Sequence, residues 1–374
     1  MNSAEQFLQD RLQERTTKGL FRQLTNTTLP FDFCSNDYLG FAESLTLKQL
    51  IEEQVKNIPN YKNGSGGSRL LSGNHPYTEE TEQLVANFHQ AESGLIFNSG
   101  YDANIGLLSA VPQRGDTIIT DKLIHASLID GARLSHAERY KFRHNDLNDL
   151  AQKLKNAKGL IYVVVESVYS MDGDTAPLKE IVDLCKQYQA HLIVDEAHAT
   201  GIFGAKGQGL TVQLGLEKDV FARIVTFGKA IGTHGAIILG STALRNYLIN
   251  FSRSFIYTTA APIHHIVAIN CAYQLLMAND FPTQITHKIT LYNELLSNIN
   301  LPIIKSSSAI QTILVSGNAN ARKAAASLQE KGFDVKAILS PTVAEGKERL
   351  RICLHTYNSD EEIKNLTEHL KTLQ

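Results

Sequence analysis

Between about residues 80 and 240, the hydrophobic positions of the chain follow two alternating spacings. Stretches with helical spacing lie near residues 78–92, 102–110, 127–136, 146–157 and 178–189. Short apolar runs typical of strands lie at residues 94–98, 116–120, 159–166, 191–195, 223–227 and 235–240. Several of these runs lack the alternation of a half-exposed strand, which indicates strands covered on both faces. The pattern therefore predicts an α/β fold with a mostly parallel, doubly wound central sheet flanked by helices.

The two ends of the chain differ from this middle part. Residues 3–24 carry apolar positions at helical spacing and lead into a short strand that begins at Phe31. After about residue 275, a long helix precedes predicted strands at 308–315, 334–338 and 349–354 and helices at 320–331 and 360–373. We therefore predict an N-terminal segment of residues 1–45, a large α/β domain of residues 46–274 and a small C-terminal α+β domain of residues 275–374.

Composition and charge exclude several classes of protein. The formal net charge of −2 gives no reason to expect nucleic acid or an anionic membrane as a partner. No stretch reaches the length of a membrane span, and the N-terminus lacks the basic and apolar regions of a secretory signal. The four cysteines are scattered without metal or redox spacing, so we expect no metal site. These features favour a cytoplasmic protein with reduced thiols.

Polar side chains gather where the predicted strands end. Ligands of open α/β sheets bind beyond the carboxyl ends of the strands, so these positions are candidates for a site. They include His125, Glu166, Ser170, Asp195, His198, Thr226 and Lys229.

Asp195 closes an apolar strand, where an unpaired carboxylate would cost several kcal/mol. It must therefore face a cation or a donor, such as a protonated ring nitrogen or an arginine. His198 fits either a structural histidine, which is the favoured interpretation of that residue alone, or an acid/base group. An ATPase with an acidic magnesium-binding strand is an alternative, but it requires the phosphate loop G-x-x-x-x-G-K-[ST]. Gly228 and Lys229 are followed by Ala230, so the ATPase interpretation is disfavoured.

Two glycine-containing segments could contact a ligand. Residues 64–68 follow no clear strand and so fail as a dinucleotide loop, although their glycines permit close approach of a ligand or a partner chain. At residues 98–104, a strand ends, a Ser-Gly turn follows and a helix begins. The free amides of such a helix start bind phosphate well, and an ordinary helix cap is the alternative.

Lys229 lies in a short turn between Gly228 and Gly232, directly after an apolar strand. Lysines are rarely buried. Desolvation lowers the pKa of a lysine and makes it a usable nucleophile, base or Schiff-base former. A turn lysine that reaches back to solvent is the alternative, and this segment alone does not decide between them.

Several long motifs follow one another along nearly the whole chain, at residues 35–40, 64–75, 98–104, 121–127, 166–174, 195–201, 226–235 and 257–259. In this combination they resemble the α-oxoamine synthases, a branch of the fold type I pyridoxal phosphate enzymes. An acid for a pyridine nitrogen, a helix start for a phosphate, a ring to stack and a lysine for an aldehyde are the parts of such a site. The resemblance implies a fold type I transferase that binds pyridoxal 5'-phosphate in its large domain.

The resemblance also implies roles for individual residues. Lys229 would hold the cofactor as a Schiff base and act as the base at the substrate Cα. Asp195 would pair with the pyridine nitrogen, and His125 would stack on the ring. His198 would bond the ring oxygen, with Ser170 close by. The phosphate would be held by Gly100, Tyr101 and Thr226 and, from the neighbouring subunit of a homodimer with shared active sites, by Thr258 or Thr259.

For the substrates, the resemblance points to four further residues. Arg351 would clamp the amino-acid carboxylate with help from Asn36, a task that suits a planar guanidinium. Thr342 matches a substrate-contacting threonine. Arg22 matches an N-terminal arginine near the acyl substrate, for which Arg11 and Arg15 are competing candidates.

Overall likeness favours L-alanine and a pimeloyl thioester as substrates, a reaction of biotin biosynthesis. Glycine acetyltransferase and serine palmitoyltransferase use the same machinery and are the alternatives, and the carrier, coenzyme A or acyl carrier protein, stays open. Two positions depart from the family pattern: Ala199 replaces a usual glycine, and His234 stands where small residues are common. We interpret His234 as structural, with a contact to the thioester channel as the alternative.

Overall fold

The computed structural model describes residues 3–24, 26, 28–59 and 61–373. The first elements are α1 (Ala4–Thr17), β1 (Phe31–Asp32) and α2 (Leu45–Lys56). The helix and strand predicted for this part of the chain are therefore present, while residues 1 and 2 of the predicted N-terminal segment lie outside the described residues. Helix α1 has no buried residue, so its apolar positions Phe7, Leu8 and Leu12 face away from the rest of the chain.

A seven-stranded sheet forms the centre of the molecule. Its strands are β2 (Ser93–Phe97), β3 (Thr117–Asp121), β4 (Glu138–Phe142), β5 (Ile161–Glu166), β6 (His191–Asp195), β7 (Ala222–Thr226) and β8 (Ala236–Gly240). They lie in the order β2-β8-β7-β6-β5-β3-β4. The pairs from β7 to β4 are parallel, and β8 is antiparallel to both β7 and β2. The predicted mostly parallel sheet is confirmed.

Helices cover both faces of this sheet. They are α3 (Pro76–Phe88), α4 (Gly100–Ala110), α5 (Ala126–Leu134), α6 (Leu147–Asn156), α7 (Leu178–Gln187), α8 (Leu210–Gln213), α9 (Thr242–Phe251), α10 (Arg253–Ile256) and α11 (Ile263–Ala278). Along β5, Val163 and Val165 belong to one buried cluster, whereas Tyr162 and Val164 belong to another. Because both faces are covered, the strands are apolar without alternation.

No strand is predicted at Glu138–Phe142, yet β4 forms there at the edge of the sheet. Its first four residues are exposed and only Phe142 is buried. Charged side chains on an edge strand discourage pairing with other chains. The same charges remove the hydrophobic signal from which a strand is predicted.

The C-terminal part contains a smaller antiparallel sheet. Its strands are β9 (Ile303–Ile304), β10 (Ile310–Leu314), β12 (Lys336–Ile338) and β13 (Arg349–Cys353), and β11 (Phe333–Asp334) precedes β12. The helices are α12 (Phe281–Leu296), α13 (Asn318–Gln329) and α14 (Asp360–Lys371). Strand β11 pairs with β1, so the single strand predicted at residues 334–338 is divided between two sheets.

The predicted C-terminal α+β unit is confirmed. The proposed boundary between residues 274 and 275 falls inside α11, and the division into domains stays a prediction. Among the described residues, none of the helices combines the length and the hydrophobicity that a membrane crossing needs.

Candidate active site

A cavity of about 260 Å³ lies at the carboxyl ends of β5, β6 and β7. Open α/β sheets bind ligands at this edge. Its lining combines the strand ends with the starts of α4 and α5: Ser99, Gly100, Tyr101, Asn104, His125, Ser127, Glu166, Asp195, Ala197, His198, Thr226, Gly228, Lys229, His234 and Gly235. The structure thus brings together most of the residues predicted to bind the cofactor.

Lys229 lies in the turn of the hairpin formed by β7 and β8. Thr226 and Ala236 are the last pair of this hairpin, and the Gly232 N–H donates a hydrogen bond of 2.8 Å to the Lys229 carbonyl. Gly232 has a φ of +61°, and a side chain there would overlap the backbone of Ala42. Glycine is therefore required at Gly232, and the turn that presents Lys229 is fixed at both ends.

The surroundings of Lys229 make its amine easier to deprotonate. Its Nζ is 3.4 Å from the Thr226 Oγ1. Burial lowers the pKa of Lys229, and the nearby Arg351 acts in the same direction, although the carboxylates of Asp195 and Glu166 oppose it. A lysine with a lowered pKa can serve as a nucleophile and as a base.

Asp195 ends β6 and is almost fully buried. Its Oδ1 accepts a hydrogen bond of 2.9 Å from the Ala197 N–H, and its Oδ2 accepts one of 3.0 Å from the Asn104 side chain. These donors satisfy the carboxylate and fix its orientation toward the cavity. A buried anion in this position can pair with a protonated ring nitrogen.

Two histidines of the cavity favour the neutral state. Burial lowers the pKa of His198 well below its usual value, and Lys229 and Arg351 add to the effect. The His198 Nδ1 lies 2.7 Å from the Tyr38 hydroxyl. Desolvation also lowers the pKa of His125, whose Nδ1 is 2.7 Å from the Ser127 hydroxyl at the start of α5. A neutral, tethered ring can stack on a planar ligand or share one hydrogen bond with it.

The start of α4 suits a phosphate group. The Ser99 side chain accepts a hydrogen bond from the Asp102 N–H, whereas the Gly100 and Tyr101 amides have no partner among the described residues. A side chain at Gly100 would approach the Thr226 methyl to 2.6 Å, so glycine keeps this space open. Free amides at a helix start, with the Thr226 hydroxyl nearby, form an anion site.

Thr258 and Thr259 lie outside the lining of this cavity. The Asn98 side chain donates to the Thr258 hydroxyl at 3.0 Å and to the Thr259 carbonyl at 2.9 Å. Their predicted contact is with the phosphate of a neighbouring subunit, and it stays a prediction.

Arg351 on β13 meets residues from two other parts of the chain. Its Nη2 donates to the Asn36 Oδ1 at 2.9 Å, and its Nε donates to the Ser170 carbonyl at 2.8 Å. The predicted pair of Arg351 and Asn36 is therefore present next to the cavity, where Arg351 influences the pKa of Lys229. Ser170, which is predicted to lie beside His198, is outside the cavity lining, and its role toward the cofactor stays a prediction.

Thr342 and Arg22 are not part of this assembly. Both are exposed, and neither contributes to the cavity lining. The Arg22 side chain has no hydrogen bond or ion pair among the described residues. Their roles toward a substrate stay predictions.

The sequence predicts no role for Asn104 and Tyr38, and it places Glu166 among the candidates at the strand ends without giving it a role. Glu166 is paired with Asp195 across β5 and β6, and one of its carboxyl oxygens has no hydrogen-bond partner. Burial and the neighbouring Asp195 raise the pKa of Glu166 to about 8. The signal for Glu166 was available, since it ends a predicted strand. Asn104 and Tyr38 lie within the motifs at residues 98–104 and 35–40, but the spacing of the sequence gives neither of them a role at the site.

The family of the chain follows from comparison with known proteins. Residues 30–370 match the sequence profile of aminotransferase class I and II. The chain therefore belongs to this family of pyridoxal phosphate enzymes.

Within the family, the similarity extends over nearly the whole length of this chain and of the proteins compared with it. The chain is 42% identical to the 8-amino-7-oxononanoate synthase of Emericella nidulans, over 98% of this chain and 94% of that protein. A structure of 8-amino-7-oxononanoate synthase from Francisella tularensis has a TM-score of 0.79 at 29% identity, covering 91% of this chain and 97% of that one. A structure of serine palmitoyltransferase with pyridoxal phosphate has a TM-score of 0.90 at 25% identity, covering 100% and 98%. The fold type I architecture expected from the sequence is thereby confirmed.

Proposed function

We propose that the protein condenses L-alanine with a pimeloyl thioester, with loss of CO₂, to give 8-amino-7-oxononanoate in biotin biosynthesis. The observation that carries this proposal is the 42% sequence identity to the 8-amino-7-oxononanoate synthase of Emericella nidulans over nearly the whole chain. The cavity that contains Lys229 and Asp195 is consistent with this activity. The serine palmitoyltransferase structure is 25% identical to the chain, so the sequence comparison favours the synthase over this structural neighbour.

The residues of the cavity fit pyridoxal phosphate. The free Gly100 and Tyr101 amides and the Thr226 hydroxyl would hold its phosphate, and Asp195 would pair with its ring nitrogen. His125 would lie on the ring face, His198 and Ser170 would meet the ring oxygen, and Lys229 would bind the aldehyde carbon. When bound, the cofactor acts as a sink for the electron pair left at Cα of the amino acid.

The chain's own groups then have separate tasks. Arg351, positioned by Asn36, would bind the carboxylate of L-alanine as a bidentate partner. Lys229, whose pKa is lowered by burial, would take the proton from Cα and later return it. With the cofactor bound, deprotonation by Lys229 would leave Cα able to form the new bond to the thioester carbonyl carbon, as the bond from that carbon to sulfur breaks and the thiol leaves. The former alanine carboxylate then leaves as CO₂, and one proton is added at Cα.

We also propose that the active form is a homodimer with shared sites. Leu71 is 86% exposed and Tyr257 is 74% exposed. Both belong to motif segments that do not line the cofactor cavity. Contiguous exposed apolar surface marks protein–protein contacts, and the exposed Leu70 stands next to Leu71 in one of these segments. Light scattering tests the proposal: twice the mass of one chain is expected, and a monomer at assay concentration would contradict it.

Serine palmitoyltransferase or glycine acetyltransferase activity is the second candidate, favoured by the higher TM-score of 0.90 to the former. A substrate panel decides between them. The purified enzyme is assayed with alanine, glycine or serine against pimeloyl, acetyl and palmitoyl thioesters. We expect alanine with the pimeloyl thioester to give the highest kcat/KM. A higher value for serine with palmitoyl or glycine with acetyl thioester would replace the proposed function.

A further inference from the structure

A second cavity, of about 370 Å³, adjoins the cofactor cavity. The two cavities share His234 and Gly235 in their walls. The remaining wall comes from the glycine segment at 64–66, the end of β2, the segment at 259–262 and the first turns of α11. A cavity of this size falls in the range of about 300–1,000 Å³ that small-molecule sites occupy.

The lining of the second cavity combines apolar side chains with the polar side chains of Ser65, Asn98, Thr259 and two histidines. Ser65 and Asn98 already donate hydrogen bonds within the chain. Ile96, Phe97 and Ile269 supply hydrocarbon, and the described lining contains no carboxylate, lysine or arginine. Its titratable side chains are His234 and His265, whose ring centroids lie 5.8 Å apart. Among the described residues, neither ring has a hydrogen-bond partner. His265 is half-buried and His234 is exposed. Imidazole N–H groups next to apolar side chains suit a ligand that is mainly aliphatic and ends in a hydrogen-bond acceptor.

The electrostatic surroundings favour an acceptor that is negatively charged. Helix α11 begins at this cavity, and its N-cap residue Pro262 provides no side-chain hydrogen bond to the helix start. The first turn of a helix carries partial positive charge. Burial lowers the pKa of His265, and His234 and His264 act in the same direction without an opposing carboxylate. An anion placed here would meet imidazole N–H donors and the helix start, and no carboxylate of the described lining would oppose it.

We propose that the second cavity binds the distal part of the acyl substrate, with His265 and His234 as hydrogen-bond donors to the terminal carboxylate of a pimeloyl chain. This inference rests on the proposed function. A pimeloyl thioester carries a carboxylate at the end opposite to its thioester, and methylene groups lie between the two. The methylene groups match the apolar wall, and the carboxylate matches the imidazoles. His234, which belongs to both cavities, lies where the chain passes from one to the other.

The same arrangement would select against other acyl groups. An acetyl group does not reach the second cavity, and a fatty acyl chain brings only methylene groups to the imidazoles. A fatty acyl chain would therefore gain no hydrogen bond from His265 and His234, and this missing contact is what would favour an acyl chain that ends in a carboxylate.

The first experiment compares two thioesters on coenzyme A that differ only in the carboxylate, pimeloyl and heptanoyl. We expect His265→Phe to raise the KM for the pimeloyl thioester about tenfold or more, as befits loss of a charge-assisted hydrogen bond, and to leave the heptanoyl value unchanged. His265→Gln, which keeps a donor, should lose less. His264→Phe is the matched control, because His264 is the exposed neighbour outside the lining.

A binding measurement keeps the test independent of turnover. Calorimetric titration of the cofactor-loaded protein should show that pimelate binds more tightly than heptanoate, and that His265→Phe and His234→Asn reduce this preference while the thermal midpoint is retained. Equal KM increases for both thioesters would assign the histidines to the carrier and overturn the proposal, and so would unchanged pimelate binding in the variants. Failure of the wild type to use any pimeloyl thioester would instead contradict the proposed function.

Discussion

The two sides of the candidate active site are built differently. On the cofactor side, as we call the side proposed to hold the cofactor, Asp195 ends one strand and Lys229 follows the neighbouring strand of the same sheet, so their separation is set by the sheet itself. On the amino-acid side, which is proposed to bind the amino acid, Arg351 of the C-terminal sheet meets Asn36, which lies 315 positions earlier in the chain. The first side depends on strand register, and the second depends on how the ends of the chain pack against the centre. Substitutions on the first side should therefore stop the chemistry, and those on the second should first weaken substrate binding.

The largest effect is expected from Lys229→Ala. Because no other amine in the cavity can bind the cofactor or move the α-proton, kcat should fall by at least about 10³-fold. Circular dichroism should be unchanged, and the exposed Lys206→Ala serves as the control. Substantial retained activity would remove Lys229 from the mechanism.

A smaller loss is expected from Asp195→Asn. The amide keeps the shape and one of the two accepted hydrogen bonds, from Ala197 or from Asn104, but it carries no charge to stabilise a protonated ring nitrogen. We expect kcat to fall roughly 10²–10³-fold, a size typical of losing an acid/base or electrostatic contribution. The matched control is Asp183→Asn on the exposed face of α7. A near-normal kcat of the variant with bound cofactor would show that the chemistry does not depend on the charge of Asp195.

Arg351→Lys tests the amino-acid side. A lysine keeps the charge but loses the bidentate geometry, so we expect the KM for L-alanine to rise roughly 10–100-fold. The KM for the acyl thioester should change little. A large fall in kcat at unchanged KM would contradict the separation of the two sides.

The smallest effect concerns Glu166 and pH. In the folded chain its pKa is about 8, above the ordinary value of 4.5. Between pH 4.5 and pH 8, the folded chain therefore keeps a proton on Glu166 that the unfolded chain has lost. The stability that this carboxyl contributes is therefore present below about pH 4.5 and is lost as the pH rises through about 8. In cofactor-free protein, Glu166→Gln should weaken this decline, and the melting temperature of the variant relative to wild type should rise by a few degrees from about pH 5 to about pH 8. An identical pH dependence in both proteins would mean that Glu166 does not hold the proton.

Much of the cofactor side could be predicted from the sequence, because buried strands leave a strong signal. An apolar run that ends in Asp195 or precedes Lys229 places these residues at the ligand-binding edge. Asn104 left no such signal, since its contact with Asp195 spans 91 positions and depends on how α4 packs. Strand β4 was missed because its exposed edge carries charges in place of apolar residues.

The amino-acid side could be predicted only through family resemblance. Arg351 donates a hydrogen bond to Asn36, but no periodicity in the sequence predicts that these two residues meet. Thr342 and Arg22 show the limit of that resemblance, because both are exposed in the single chain and their roles stay predictions.

The reversed direction of β8 has a consequence for how this region can vary. Parallel strands are joined by long crossovers, whose loops tolerate insertions, whereas β7 and β8 form a hairpin with Lys229 inside its turn. An inserted residue between Thr226 and Ala236 would either shift the pairing of β8 with both of its neighbours or displace the lysine. The length of this turn should therefore be the least variable of any connection in the sheet. Engineering that changes the acyl preference of the enzyme should leave it untouched and alter the second cavity instead.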